Sequence, residues 1–303
     1  MIGVSSAAAP LDPNEVYSRT IGALGRRTWE RLSSLEVVVA GAGRAGGLIA
    51  EALARFGVRR LILLDPDRIE PGNLGEATLL SGDAVGELKV DAYAAALTAP
   101  ATPLQVTPLP VSVMATGALV AIKSADVVIS CVDNPVAHLA TASVAQLYVK
   151  PLLDLGSGIF DGESPTERRM GADIRLIVPG AGSCLLCLGG VGDRVAARAA
   201  LTAPLGAVPS PVPWSHQMAG GLRRSGSLRS LNLVVVGLAL RLLEDFIAGR
   251  VVESRWEHVE FDARGVPSLE LRTLPLDPRC PLCALTARGD AGIAELPAVF
   301  ASL

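Results

Sequence analysis

The 303-residue sequence predicts an α/β fold: a Rossmann-like, doubly wound, mostly parallel sheet followed by a smaller C-terminal β/α extension. Three observations predict it. A β-branched run, Glu36–Ala40, opens directly into Gly41-Ala42-Gly43-Arg44-Ala45-Gly46, and a helix with one apolar face follows. Apolar strand-like runs then alternate with helix-period stretches as far as Asp154. After Ile159 the alternation gives way to a hairpin pattern and two C-x-x-C pairs.

Each element has its own signal. Residues 17–35 read as a helical lead-in, with Tyr17, Ile21, Leu24, Trp29 and Leu32 near helical spacing. The helix after the glycine loop carries Leu48, Ile49, Leu53 and Phe56 on one face and ends at Gly57. Leu61–Leu64 is a strand closed by Asp65, 19 residues after Gly46. Gly86–Leu97 reads as a helix, Gln105–Pro110 as a strand and Thr116–Lys123 as a short helix. Asp126–Cys131 is apolar enough for a buried parallel strand, Asn134–Val149 is helical, and Pro151–Asp154 is a further strand. Arg175–Val178 leads to the first cysteine pair. Residues 188–229 are rich in Gly, Pro and Arg, with little periodicity. Leu231–Ile247 is a helix apolar nearly all round at its start, hence buried or at an interface. Trp256–Phe261 and Ser268–Arg272 form a hairpin around Ala263-Arg264-Gly265. The expected organisation is a flexible N-terminus (1–16), a Rossmann-like half (17–158), a C-terminal half (159–287) with a crossover loop at 188–229, and a tail (288–303).

Composition narrows the function classes. Apolar residues make up 50% and aromatics only 4%, so the core is aliphatic. A net charge of −3 excludes a generally basic nucleic-acid binder. The two longest charge-free stretches, Ala92–Ile122 and Ala199–Leu222, each carry four prolines, which a spanning helix does not tolerate. The first ten residues show neither a basic nor an apolar signal region. A cytoplasmic protein without membrane partners is expected.

Cysteine spacing is more specific. Cys131 stands alone, whereas Cys184-x-x-Cys187 and Cys280-x-x-Cys283 are two local pairs with 92 residues between them. In a reducing compartment two such pairs read as a four-thiolate structural zinc site, with no open position for catalysis. The C-terminal extension is therefore expected to be zinc-tied.

The glycine loop offers backbone N–H groups at a helix N-terminus to phosphate. Taken alone with Asp65 it suits a dinucleotide enzyme. Further residues point away from hydride chemistry. Asn73 follows Asp65 and Asp67, Lys89 lies 16 residues later, and Asp133 closes a later strand in Cys131-Val132-Asp133-Asn134. Together they offer an acid for ribose, an amide and a lysine for phosphates, and an acid for Mg²⁺.

The order Tyr17-Ser18-Arg19, GAGRAG, LLDPDRIEPGNL, VGELK, SCVDN and two C-x-x-C pairs resembles the ThiF/MoeB family, bacterial relatives of ubiquitin-activating enzymes. The resemblance runs from about Tyr17 to Cys283. It implies a homodimeric, MgATP-dependent adenylyltransferase (a nucleotidyltransferase). Such an enzyme activates the C-terminal carboxylate of a ubiquitin-like or sulfur-carrier protein, or of a ribosomal peptide. It also implies that Gly41, Gly43 and Gly46 line the ATP site, Asp65 binds the ribose with Asp67 beside it, and Asn73 and Lys89 contact the nucleotide. Asp133 would bind magnesium, and Arg19 would reach the phosphates, in relatives from the partner subunit. Cys184, Cys187, Cys280 and Cys283 match the zinc ligands.

Two departures stand out. Relatives commonly place an arginine three residues after the asparagine; here Glu76 stands there, and an anion opposes a triphosphate. Arg44, inside the glycine loop, is the candidate to compensate. Residues 188–279 contain no cysteine, so no cysteine thioester is expected. Arg194, Arg198, Arg223, Arg224 and Arg229 give the crossover loop a basic character suited to a carboxylate-ended partner, and His216 is not assigned a catalytic role. The alternatives are a ThiF-fold scaffold without catalysis and an NAD(P)-dependent oxidoreductase.

Overall fold

The structure is a computed structural model that describes residues 11–161, 169–191, 223–226, 228–262, 264–273 and 276–301. Side chains are described for the same residues except 160, 161, 169 and 223–226. Arg194, Arg198 and His216 lie outside the described residues, as do the side chains of Arg223 and Arg224.

Nine strands form one sheet: β1 Glu36–Ala40, β2 Arg60–Leu64, β3 Gln105–Leu109, β4 Val127–Ser130, β5 Leu152–Asp161, β6 Arg169–Ile177, β7 Arg223–Gly226, β8 Arg255–Phe261 and β9 Pro267–Arg272. The order is β3-β2-β1-β4-β5-β6-β8-β9, with β7 also paired to β5. The first five strands are mutually parallel, and every ladder from β5 outward is antiparallel. The C-terminal extension therefore continues the sheet rather than standing beside it. β5 runs unbroken through Ile159, where the sequence changes character.

Helices cover both faces, which is why β1 is apolar at successive positions. Val37 and Val39 face one core with α4 (Arg44–Phe56), α5 (Lys89–Ala96) and α8 (Arg229–Ile247). Val38 and Ala40 face a second core with α6 (Thr116–Ser124) and α7 (Pro135–Leu147). The C-terminal residues join this second core through Phe300.

Several expected boundaries are corrected: the strands expected at Pro151–Asp154 and Arg175–Val178 are the longer β5 and β6, residues 223–226 of the expected crossover loop form β7, Arg229 opens α8, and three helical segments differ. The lead-in at 17–35 is two helices, α2 (Ser18–Leu24) and α3 (Arg26–Ser34), because Gly25 adopts φ +80° and breaks the ladder; a four-residue α1 (Pro13–Val16) precedes them. The helix expected from Gly86 starts at Lys89. Residues 86–88 are instead bonded back to Ile69 and Arg68, with Gly86 at φ +90° and Lys89 N donating to Asp67 O. The helix expected to end at Val149 ends at Leu147, and Val149 turns to φ +55°.

β1 lies between β2 and β4, so successive strands run outward in opposite directions from it. This is the switch point at which doubly wound sheets leave a crevice at their carboxyl ends.

Candidate functional site

A cavity of about 200 Å³ occupies that crevice. It is lined from β1 by Ala42, Gly43 and Arg44, and from β4 by Cys131, Val132 and Asp133. Asn73, Lys89, Tyr93, Gly156, Ser157 and Asn232 complete the lining.

The three loop glycines do different work. Gly41 has φ +90°, and a Cβ there would meet Cys131 O at 2.7 Å. A Cβ on Gly46 would lie 1.8 Å from Gly41 O. Both are close-packing positions behind the cavity. Gly43 caps α4 and has nothing within 4 Å of its would-be Cβ, so its backbone stays open to the cavity. Arg44 is exposed at the first turn of α4 and lines the cavity.

Asp65 does not line the cavity; it braces the loop from below. Its Oδ2 accepts from Ala42 N at 2.8 Å and its Oδ1 from Asp67 N at 2.9 Å. Burial raises its pKa, and the Lys89 ammonium, 3.9 Å away, opposes that rise. Lys89 Nζ donates to Asp67 Oδ2 at 2.8 Å while facing the cavity. Asn73 is fixed in a capping box with Glu70, accepting from Glu70 N at 3.0 Å. Asp133 is exposed at the cavity, one residue before Asn134, which caps α7 by accepting from Ala137 N at 2.8 Å. Arg19 is exposed on α2 and does not line this chain's cavity. Cys131, expected in the core, both packs against the core and lines the cavity, and burial pushes its thiol above the ordinary range.

A charged cluster ties α7, β5, β6 and β8 together. Asp154, fully buried on β5, meets His138 of α7, and its Oδ2 accepts from Arg175 Nη1 at 3.3 Å. Burial alone would raise Asp154; His138, then Arg175, hold it below the usual carboxylate range. Arg175 also meets Asp173 at 2.7 Å, and Trp256 Nε1 and His258 contact Asp173, each at 2.8 Å. The wall residues Tyr93, Ser157 and Asn232 and this cluster were missed from sequence. Asn232 left a signal, as a lone amide in the apolar opening of a helix.

The four paired cysteines converge although 92 residues separate the pairs. Their sulfurs all lie within 4.8 Å of one another, with Cys184–Cys187 at 3.7 Å, Cys184–Cys280 at 3.5 Å and Cys187–Cys283 at 3.7 Å. Tetrahedral zinc bound at about 2.3 Å needs sulfurs about 3.8 Å apart, so the donor set fits. Without a cation Cys184 is held protonated by the hydrogen bonds it donates to Cys280 and Cys283, which push its thiol up; four thiolates this close are stable only around a cation.

Comparison with known proteins follows the same lines. The adenylyltransferase and sulfurtransferase MOCS3 of Bos taurus is 30% identical over 169 residues, 52% of this chain and 37% of that protein. The ubiquitin-like modifier-activating enzyme 5 of Oryza sativa subsp. japonica is 27% identical over 67% of this chain and 49% of its own length. The sulfur carrier protein adenylyltransferase of Thermus thermophilus is 31% identical over 46% of this chain and 52% of its own. In each case the match spans less than two thirds of the relative. The crystal structure of E. coli MccB with ATP shares the fold, with a TM-score of 0.64 at 19% identity over 90% of this chain and 75% of that one. Among the described residues no helix is long and apolar enough to cross a membrane. The ThiF family model matches residues 17–283, and the chain belongs to the ThiF family.

Proposed function

We propose that the chain is an ATP-dependent adenylyltransferase that activates the C-terminal carboxylate of a ubiquitin-like or sulfur-carrier protein, or of a ribosomal peptide, without a cysteine thioester. The observation that carries this reading is the convergence of Gly43, Arg44, Asn73, Lys89 and Asp133 on one cavity at the switch point. MgATP is the nucleotide, and the site acts in a cytoplasmic homodimer in which Arg19 enters the partner's cavity. The exposure of Arg19 away from its own cavity supports that arrangement.

The chemistry asks for alignment and charge relief rather than a base. A carboxylate is ionised at pH 7 and attacks the α-phosphorus directly. A new carboxylate–phosphorus bond forms, the bond to the bridging oxygen breaks, and that oxygen leaves with pyrophosphate. Lys89 and Arg44 offset phosphate charge, and the Gly43 backbone admits the phosphates to the N-terminus of α4. Asn73 orients the nucleotide through its side chain. Asp65, with Asp67 beside it, holds the loop on the ribose side. One exposed carboxylate suits Mg²⁺, which takes few protein ligands and otherwise phosphates and water, so Asp133 would hold it; the ion neutralises charge when bound. Zinc on Cys184, Cys187, Cys280 and Cys283 would tie the segment after β6 to that after β9 and take no part in the reaction.

The test is calorimetric titration with MgATP and NADH in parallel, followed by ATP–pyrophosphate exchange with candidate carboxylate partners. Binding of MgATP but not NADH, weakened at least tenfold in Lys89→Ala and Asp133→Ala, is expected. A wild-type protein that binds no MgATP would return the chain to a scaffold role.

A further inference from the structure

Residues 69–88, which border the cavity through Ile69, Asn73, Ala77 and Leu80, contain no Lys or Arg and four acids: Glu70, Glu76, Asp83 and Glu87. A loop of that charge beside a phosphate site works against it. Glu70 and Glu76 each adjoin a lining residue and lie three residues from Asn73; the Glu70 carboxylate is taken up by the capping box with Asn73, which leaves Glu76 as the acid to account for. Yet Glu76 does not line the cavity.

The first turn of α8 accounts for its direction. Arg229 Nη1 donates to Glu76 O at 2.9 Å and to Ala77 O at 3.3 Å. Asn232, three residues on and so on the same helix face, donates from Nδ2 to Glu76 Oε2 at 3.4 Å. Asn232 Oδ1 accepts from Ser157 Oγ at 2.9 Å, which fixes which end of the amide faces Glu76. Asn232 is only 2% exposed and Glu76 is half-buried, so this contact is partly shielded from water.

We propose that Asn232 and Arg229 are positioning residues: Asn232 holds the Glu76 carboxylate out of the nucleotide cavity, and Arg229 anchors the Glu76–Ala77 backbone through its two carbonyls. The inference rests on the nucleotide reading above and explains how the site accommodates an acid there. Asn232 also lines the cavity, and rescue by Glu76→Gln separates an effect through Glu76 from a direct contact with the nucleotide.

The experiment is a double-mutant cycle on MgATP affinity, measured by calorimetry on the full chain. Glu76→Gln is expected to stay within threefold of wild type. Asn232→Ala is expected to weaken MgATP at least tenfold, because the freed carboxylate turns toward the phosphates. Glu76→Gln combined with Asn232→Ala is expected to return to within threefold. Asn232→Leu, close in size to the native residue and uncharged, removes the donor to Glu76 and gives the same cycle if the alanine variant does not fold. Arg229→Gln is expected to weaken binding at least fivefold. Wild-type affinity in Asn232→Ala, or failure of Glu76→Gln to restore it, overturns the role of Asn232. Unchanged affinity in Arg229→Gln overturns that of Arg229. These results leave the nucleotide reading standing, whereas a wild-type chain that binds no MgATP removes both.

Discussion

Replacing Gly46 and Gly43 by alanine, one at a time, separates packing from binding within a single loop. At Gly46 the new Cβ would fall 1.8 Å from Gly41 O and 2.9 Å from Gly41 C. Both are backbone atoms that no rotamer change moves aside, so the first turn of α4 and the loop must part by roughly 1 Å. Overpacking of this kind costs about 3 kcal/mol, and the gain in helix propensity from Gly to Ala returns about 1 kcal/mol. A net loss of about 2 kcal/mol lowers the melting temperature by roughly 4–8 °C. At Gly43, φ is −82° and nothing lies within 4 Å, so the melting temperature should move by no more than about 2 °C. Its methyl group instead enters the space where the phosphates approach the backbone, and MgATP should bind at least tenfold more weakly. Scanning calorimetry and nucleotide titration on both variants read the two effects. Equal melting temperatures for the two variants, or full MgATP affinity in Gly43→Ala, would refute this division of labour.

Other expectations concern the remaining parts of the site. Elemental analysis should find one zinc per chain, and Cys187→Ser should lose the metal and melt roughly 10 °C lower; an unchanged melt would deny the cluster a structural role. Asp173 is held at about 2: burial raises its pKa, but His258, then Arg175 and Trp256, lower it further. A lowered carboxylate contributes stability that is present above its unfolded pKa near 4 and lost as pH falls through the folded value. Acid unfolding followed by circular dichroism should therefore show stability on the order of 2 kcal/mol lost between about pH 4 and 2, and Asp173→Asn should flatten that limb. Arg44→Ala should weaken MgATP at least tenfold, and unchanged binding would return Arg44 to solvent. Cys131→Ala should keep pyrophosphate exchange and acyl transfer; loss of transfer with exchange intact would reinstate a thioester.

The local elements were legible because each is set by short-range chemistry. Glu36–Ala40 is a strand because β-branched residues run without a polar break, and Gly41 must take φ +90° to turn out of it. The two C-x-x-C pairs announced a thiolate site through local spacing. Lys89 was singled out as a lysine suited to phosphate and Asp133 as an acid at the carboxyl end of a predicted strand, and both line the cavity. Helix starts were less legible. Nothing local shows that residues 86–88 pair back onto Ile69 and Arg68 instead of starting a helix. Asp65 carries a similar lesson. Its position after β2 pointed to the site, but only the structure turns its carboxylate onto the Ala42 and Asp67 amides.

By itself, the sequence determined the alternation of elements, the glycine loop, the two cysteine pairs as candidate metal ligands and the family to which these belong. Those properties depend on residue type and on spacings shorter than one element. Tertiary structure decided which distant residues meet. It joined Cys187 to Cys283, Asp154 to His138 and Arg175, and Glu76 to Arg229 and Asn232. Each of those partnerships depends on strand order and on the side from which a helix packs. Strand order is settled by burial of the whole sheet between two layers of helices, which no local stretch of sequence encodes.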